Sequence, residues 1–365
     1  MTAPAIAIYG AYGHTGRLVA DELLARGRDM ILAGRDPDAL ASLAAELEAR
    51  EARGGASVRT HTAAVDDPGA LRRLADSAAV LVHCAGPFSR TGAPVAAAAA
   101  EAGCHYVDHA LEPHHVKHVF DTLQATAERT GTLLVPGVSF YGGLGDLLAS
   151  AVADGLPEVD RIVLAYGVLG WRLTTGAKNT AAQLFAETER LTYADGALSV
   201  GYVEPRNAVF AFPPPLGPRS TLTPFPSFEP LTVPRHVPTR NVDMMLTSST
   251  FEEPEVFESE DLDDGNRAAS DFMIAAQAIY EGGNRAGDLR GHDLWRVAAV
   301  ASVEAAVRIA DGAGPVKTGV LAPAEAFPAR EFLRALEAQG LFDAHLPEPS
   351  DQSDQSDPSD PSEGS

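Results

Sequence analysis

Along the first 155 positions one pattern recurs. A short run of apolar β-formers is followed by a stretch with apolar residues every three or four positions. "AIAIY" (residues 5–9) reads as a buried parallel strand. Arg17 to Arg26 reads as a helix with Leu18, Val19, Leu23 and Leu24 inward and Gly27 as its C-cap. "MILAG" is a second strand, and "RDPDALASLAAELEAR" a helix with Asp36 as N-cap and Pro37 at the first helical position. "VRTHTA" is a third strand, and "DDPGALRRLADS" repeats the Asp-Pro helix start at Asp67. The strand "AVLVHCAG", the helix "GAPVAAAAAEAG", the strand "HYVDH", the helix "PHHVKHVFDTLQATAERTG" and the strand "TLLVPGV" complete the series. This alternation predicts right-handed βαβ units and an α/β fold, a Rossmann-type doubly wound parallel sheet.

After about residue 155 the pattern changes. "RIVLAYGVLG", "AVFAF" and "VDMMLTSST" read as antiparallel strands, separated by a proline-rich stretch. Helices are expected around Asn179–Arg190 and Arg267–Tyr280, which makes a second, α+β domain. "HDLWRVAAVASVEAAVRIA" and "PAREFLRALEAQG" form an amphipathic helical pair expected to pack back on the first domain. The expected organisation is residues 1–155 for cofactor binding, 156–290 for substrate, 291–346 for the returning helices, and 347–365 as a tail.

That tail carries six acids and no base in a repeating Asp-x-Ser triplet, and its composition predicts disorder. It holds part of the net charge of -22, a balance that argues against nucleic acid as a partner. Hydrophobic residues make up 45% of the 365-residue chain, enough for two cores. The apolar run near the start is too short to cross a bilayer and has no basic region before it, so neither membrane insertion nor export is expected. Two cysteines, Cys84 and Cys104, exclude a disulfide framework and make the cytoplasm the default compartment.

Gly10, Gly13 and Gly16 follow the first strand and open the first helix in a G-x-x-G-x-x-G pattern. A turn without Cβ atoms lets backbone N–H groups approach a pyrophosphate at a helix N-terminus that carries partial positive charge. In a full βαβ series this context points to a dinucleotide. The second strand ends in "AGRDPD". Asp36 is already used as a helix cap, which leaves Arg35 to grip a 2′-phosphate and favours NADP(H) over NAD(H).

Four separated segments, "YGAYGHTGR", "LAGRDPDAL", "VLVHCAGPFSRTGAPVAAAAAEAGCHYVDHALEP" and "GVSFYGGLGDLLAS", fall in an order that resembles the saccharopine dehydrogenase-like NADP-binding family, which includes saccharopine reductases and trans-acting enoyl reductases. The resemblance covers roughly residues 5–155. It implies that Gly10, Ala11, Tyr12, Gly13, His14, Thr15 and Gly16 hold the pyrophosphate and Arg35 the 2′-phosphate. By the same resemblance Asp66 lies near the adenine, and Cys84, Ala85, Gly86 and Pro87 line the nicotinamide ribose. The chain departs from the family in its short second domain and in lacking a recognisable amino-acid-substrate signature.

Short-chain dehydrogenases share such a glycine turn but need a Tyr-x-x-x-Lys pair. Four residues after Tyr106, Tyr141, Tyr166 and Tyr202 stand Ala110, Gly145, Gly170 and Arg206, so that pair is absent there. The histidines His105, His109, His114, His115 and His118 crowd one stretch without a defined ligand set; a solvated helix face, not a metal site, is expected. Cys84 and Cys104 read as small hydrophobes, and Trp171 and Trp295 as core or domain-interface residues.

In an open α/β sheet the ligand lies outside the carboxyl ends of the strands. That rule selects Gly86–Arg90, Asp108 with His109, and Ser139–Asp146. Tyr141, His109, Asp108 and the scarce lysine Lys178 are the catalytic candidates, with Tyr141 or His109 as proton donor. The expected function is an NADPH-dependent oxidoreductase transferring hydride to a C=C, C=N or C=O bond of a small metabolite, with a homodimer left open. The competing expectation is an NADP(H) sensor without turnover.

Overall fold

The structure is a computed structural model that describes residues 5–50, 55–251, 256, 267 and 269–348. Its first lobe holds β1 (Ile6–Tyr9), α1 (His14–Ala25), β2 (Met30–Gly34), α2 (Pro37–Arg50), β3 (Val58–Thr62), α3 (Pro68–Asp76), β4 (Val80–His83) and α4 (Phe88–Ala102). It continues with β5 (His105–Asp108), α5 (Pro113–Thr130), β6 (Leu133–Val135) and α6 (Gly143–Ala153). Asp67 Oδ1 accepts the Ala70 N–H at 2.8 Å, and Asp36 Oδ1 accepts those of Asp38 and Ala39. Both Asp-Pro helix starts therefore form as their sequence predicts.

The strands pair in the order β15–β6–β5–β4–β1–β2–β3, where β15 is Gly319–Val320, and every pairing is parallel. Consecutive connections run outward in opposite directions from β1 and β4, which places the topological switch point between those two strands. The fold is the expected Rossmann-type parallel sheet with a second α+β lobe.

The second lobe contains β7 (Val159–Leu169), α7 (Thr175–Ala186), β8 (Glu189–Ala194), β9 (Ala197–Tyr202), β10 (Arg206–Ala211), β11 (Pro218–Thr223), α8 (Glu229–Thr232) and β12 (Thr239–Thr247). It ends with β13 (Asp271–Tyr280), β14 (Gly283–His292), α9 (Leu294–Ala310), α10 (Pro323–Ala326), α11 (Ala329–Glu337) and β16 (Phe342–His345). Its main path is β10–β11–β12–β7–β13–β14–β16, with β8 and β9 attached beside β12.

Three expectations need correction here. The segment expected as a helix around Arg267–Tyr280 is, from Asp271, the inner strand β13, between β7 and β14. Phe272, Ile274 and Ala276 pack on one face and Met273 and Ala275 on the other, and all are buried. Burial on both faces removes the apolar–polar alternation that marks a strand. The helix expected at Asn179–Arg190 begins four residues earlier, because Thr174 accepts the Ala177 N–H and caps it, and it ends at Ala186 before strand β8. Finally, β12 runs parallel to β7, not antiparallel. The tail expected to be disordered lies, from residue 349, outside the described residues.

Two elements join the lobes. Helix α6 leaves the first sheet and packs under β13, β14 and β7, and nearly all of its residues are buried. Helix α9 returns to lie along α1 and over β4 and β5. Arg26 binds Glu304 at 2.7 Å and Arg28 binds Asp311 at 2.7 Å across that α1–α9 contact. No helix among the described residues is long and apolar enough to cross a membrane.

Candidate active site

The carboxyl ends of β1, β2, β4, β5 and β6 open into a cleft of about 840 Å³, closed on its far side by the second lobe and the start of α9. At one end lies the glycine turn. Gly10 and Ala11 give their N–H groups to the Ala33 carbonyl, and the Gly13 N–H bonds to Gly10. Gly13 supplies no side-chain cap, so the first-turn amides of α1 keep their donors for a ligand. Gly10 sits at φ +86, and a Cβ there would come within 2.8 Å of Ala85, so the two loops touch. A Cβ on Gly16 would lie 2.2 Å from the Gly10 carbonyl, whereas one on Gly13 would meet only that oxygen, at 3.3 Å. Gly16 is thus needed by the fold and Gly13 faces the cleft.

The cleft is lined by Gly10, Tyr12, Gly13, His14, Thr15 and Arg35, and further along by Cys84, Ala85, Gly86 and Pro87. Ala11 and Gly16 are buried behind the turn and support it. Arg35 is exposed at the end of β2 and forms no ion pair with a described residue. His14 presents a buried Nε2 without a partner among the described residues, and burial next to Arg267 holds its imidazole down to about 4. Free amides, an unpaired arginine and an orphaned imidazole nitrogen in one groove fit a phosphate-rich dinucleotide. Asp66 is exposed and stays out of the lining, where its neighbour Val65 takes its place. Burial pushes the Cys84 thiol well above its ordinary value, so Cys84 borders the cleft as an inert group.

The catalytic candidates separate. Asp108 is fully buried and does not reach the cleft mouth where its strand-end position had placed it. Its Oδ1 accepts the N–H groups of Ala110 and Gly137 at 3.0 and 2.7 Å, and its Oδ2 accepts the Tyr106 hydroxyl at 2.8 Å and His115 Nε2 at 2.9 Å. Burial alone would raise this carboxyl, but His115 and the two amides outweigh it and hold it at about 2. Asp108 is a hub tying together the ends of β5 and β6 and the start of α5; it positions the loops and leaves no lone pair for substrate. Lys178 lies in the first turn of α7 as expected, yet it does not line the cleft.

His109 does line it. Its Nε2 lies 2.9 Å from Ser302 Oγ, and that hydroxyl gives its proton to the Ala299 carbonyl at 2.8 Å. His109 must therefore donate from Nε2, which leaves Nδ1 as an acceptor. Burial holds the ring down to about 4, so it is neutral near pH 7 and carries no spare proton.

Tyr141 also lines the cleft, on the loop between β6 and α6. Its ring packs among Phe140, Tyr166, Trp171 and Phe225, with centroids 4.8 to 6.3 Å away. Its hydroxyl is buried with no partner among the described residues, and burial pushes the phenol far above its ordinary value, so it remains a neutral donor.

Other residues of the cleft escaped the sequence reading. Glu112 is buried at the start of α5; it accepts the Phe88 N–H at 3.0 Å and the Thr180 hydroxyl at 3.2 Å, tying the loop after β4 to α7. Trp171, just after β7, and Trp295, in the first turn of α9, expected in the core or at the domain interface, stack on one another at 6.4 Å and form a wall of the cleft. Nothing in their local sequence signals this, since they meet only when α9 returns. Among the described residues no His, Cys, Asp or Glu cluster suits a metal ion.

The fold and this cleft define a two-lobed, Rossmann-type dinucleotide-binding protein. Residues 6–135, most of the first lobe, match the saccharopine dehydrogenase NADP binding domain, which makes NADP(H) the cofactor. A probable mitochondrial saccharopine dehydrogenase-like oxidoreductase of Arabidopsis thaliana is 36% identical over 141 residues, 36% of this chain and 31% of that protein. A trans-acting enoyl reductase of Mycobacterium tuberculosis is 30% identical over 161 residues, 42% of this chain and 38% of its own length. The chain thus matches about a third of the length of these curated relatives. Apo saccharopine dehydrogenase (L-Glu forming) of Saccharomyces cerevisiae shares the fold at a TM-score of 0.61, with 12% identity, over 93% of this chain and 98% of that one.

Proposed function

We propose that the protein is an NADPH-dependent oxidoreductase that reduces a polar C=C, C=N or C=O bond of a small molecule. The observation that carries this reading is that the glycine turn and the Tyr141 hydroxyl, buried without a partner among the described residues, open into one cleft. Bound NADPH would supply a hydride, held through its phosphates by the α1 amides and Arg35. Hydride addition at one end of the double bond would drive the π electron pair to the other end, where a proton drawn from solvent would complete the product. Tyr141, kept neutral by its surroundings, donates a hydrogen bond where that charge develops. His109 Nδ1 offers an acceptor in the same cleft, where it would orient the substrate or the nicotinamide. Likeness to proteins named enoyl reductases supports C=C as the first bond to try. A sensor without turnover has no need of a buried donor in the cofactor cleft, which favours the enzyme.

The test is an NADPH-oxidation assay over a panel of unsaturated carbonyls and imines, with Tyr141→Phe beside the wild type. Tyr141→Phe is expected to lose ~10²-fold in kcat with NADPH affinity unchanged. Wild-type turnover in that variant would remove Tyr141 from the mechanism.

A further inference from the structure

Among the described residues five large apolar side chains are exposed, and four of them, Leu198, Val200, Tyr202 and Val209, lie on the consecutive strands β9 and β10. The pairing register puts all four on one face of the second sheet. Leu198 stands opposite Tyr193, and Tyr193 opposite Val242 of β12. Val200 and Tyr202 follow at two-residue steps on the side of Leu198. Val209 stands opposite Ser220, two residues from Leu222, which pairs with Leu246 on the Val242 side. Single exposed apolar residues are ordinary, but a row of them along one sheet margin marks a contact surface.

Strand β9 is also an open edge, since β8 is the one strand it pairs with among the described residues. The other open edges are β3, β10, β15 and β16. Of these, β3, β10 and β16 carry Arg59, Arg206 and Asp343, and β15 has only two residues. Charge and brevity keep an edge from pairing, whereas β9, "ALSVGY", has six residues with neither charge nor proline. Asp195 and Gly196 close a two-residue hairpin between Ala194 and Ala197, so the residues of β9 hydrogen-bonded to β8 are Ala197, Ser199 and Gly201. Leu198, Val200 and Tyr202 therefore turn their N–H and C=O groups to the open side.

We propose that β9 pairs antiparallel with β9 of a second copy of this chain, about a two-fold axis at Val200. In that register Val200 faces the partner's Val200, and Leu198 faces the partner's Tyr202. Each pair exchanges two backbone hydrogen bonds, and the apolar row runs unbroken across the axis with Leu191 and Tyr193 behind it. Symmetry and charge favour a second copy over a different partner. Residues 198–202 read large, small, large, small, large in both directions from Val200, as an isologous contact demands. At a net charge of -22, two copies repel over much of their surface and meet best at a segment without carboxylates.

Sedimentation of the full-length protein from about 1 to about 200 µM tests this, because so small a contact belongs to the weak end of stable interfaces. The mass is expected to rise from 38.2 kDa toward twice that value with concentration. Val200→Asp sets two carboxylates against each other on the axis and should stay monomeric throughout. It should keep the Tm and NADP⁺ affinity, since Val200 is exposed and lies outside the cleft lining. Under mild oxidation Val200→Cys should cross-link to its own copy, the Cα atoms of such a pair lying about 5.5 Å apart, whereas Leu198→Cys, displaced from the axis, should not. A wild type that is monomeric at about 200 µM would overturn the proposal and leave this face to a different occupant. A dimer that persists in Val200→Asp would overturn it by placing the contact elsewhere. Cross-linking of Leu198→Cys in preference to Val200→Cys would overturn the register.

Discussion

Arg35 stands exposed at the end of β2, and the neighbouring Asp36 is already occupied by two amides of α2. A bidentate contact to the 2′-phosphate contributes ~1.5–3 kcal/mol, so NADPH should bind at least tenfold tighter than NADH. Fluorescence titration of wild type and Arg35→Ala checks this: the variant should lose the preference, and equal affinities in the wild type would overturn the arginine's role. Histidines set a second expectation. Burial holds His14 and His109 down to about 4 and His83 down to about 3, and lowers His105 as well. Burial would lower His236 too, but Asp146 raises it and wins, so that ring works in the opposite sense. Four depressed imidazoles outweigh one raised. Between about pH 6.5 and 4 the unfolded chain takes up protons that the folded chain refuses, so stability falls on acidification. Asp108, held at about 2, adds its own loss only below about pH 4. The Tm should drop as pH is lowered from about 7.5 to 4.5, most steeply below 6.5; a flat profile would contradict the assignment.

At the scale of elements, the glycine turn separates two jobs. An alanine at Gly16 would drive its methyl into the Gly10 carbonyl and Ala11, all backbone, and force α1 away from β1. An alanine at Gly13 meets little protein and stands where the ligand's phosphate would approach. Gly16→Ala is therefore expected to lower the Tm by several degrees and abolish NADPH binding. Gly13→Ala should keep the Tm within a degree or two while weakening NADPH by about tenfold or more, as calorimetry and thermal melts would show. The contrast also explains what was legible in the sequence. The first lobe could be read because each strand is local, buried, and followed by a helix with its own cap. The second could not be read so well: β13 is buried on both faces, and β14 is rich in Gly, Asn, Asp and Arg and owes its place to ten residues of pairing with β13. The β8–β9 hairpin carried a usable signal that went unread, the Asp195–Gly196 pair, both at positive φ. Asp108 sat at the correct strand end but with the wrong exposure, since its partners Gly137 and His115 come from segments whose approach only the fold reveals.

For the whole molecule, the cleft exists only while the two lobes hold each other. The first lobe's sheet is extended at its edge by β15, from residues 319–320, and its α1 face is covered by α9. The second lobe's sheet is likewise closed at its edge by β16, which pairs with β14. The C-terminal stretch thus completes both sheets and carries Trp295 and Ser302, the wall and the partner of His109. Removing it would uncover the surface of α1, β4 and β5 on which α9 lies and leave two unpaired strand edges. A chain ending at Asp293 is accordingly expected to lose its cooperative melt and to bind an apolar dye already at 25 °C. A chain ending at Glu348 removes only residues whose composition offers nothing apolar to bury, and should keep the full-length Tm and NADPH affinity. Circular dichroism melts and NADPH titrations on the two truncations decide the point. If the chain ending at Asp293 still melted cooperatively and bound NADPH, the first lobe would be an autonomous cofactor domain and the returning helices would serve the substrate side alone.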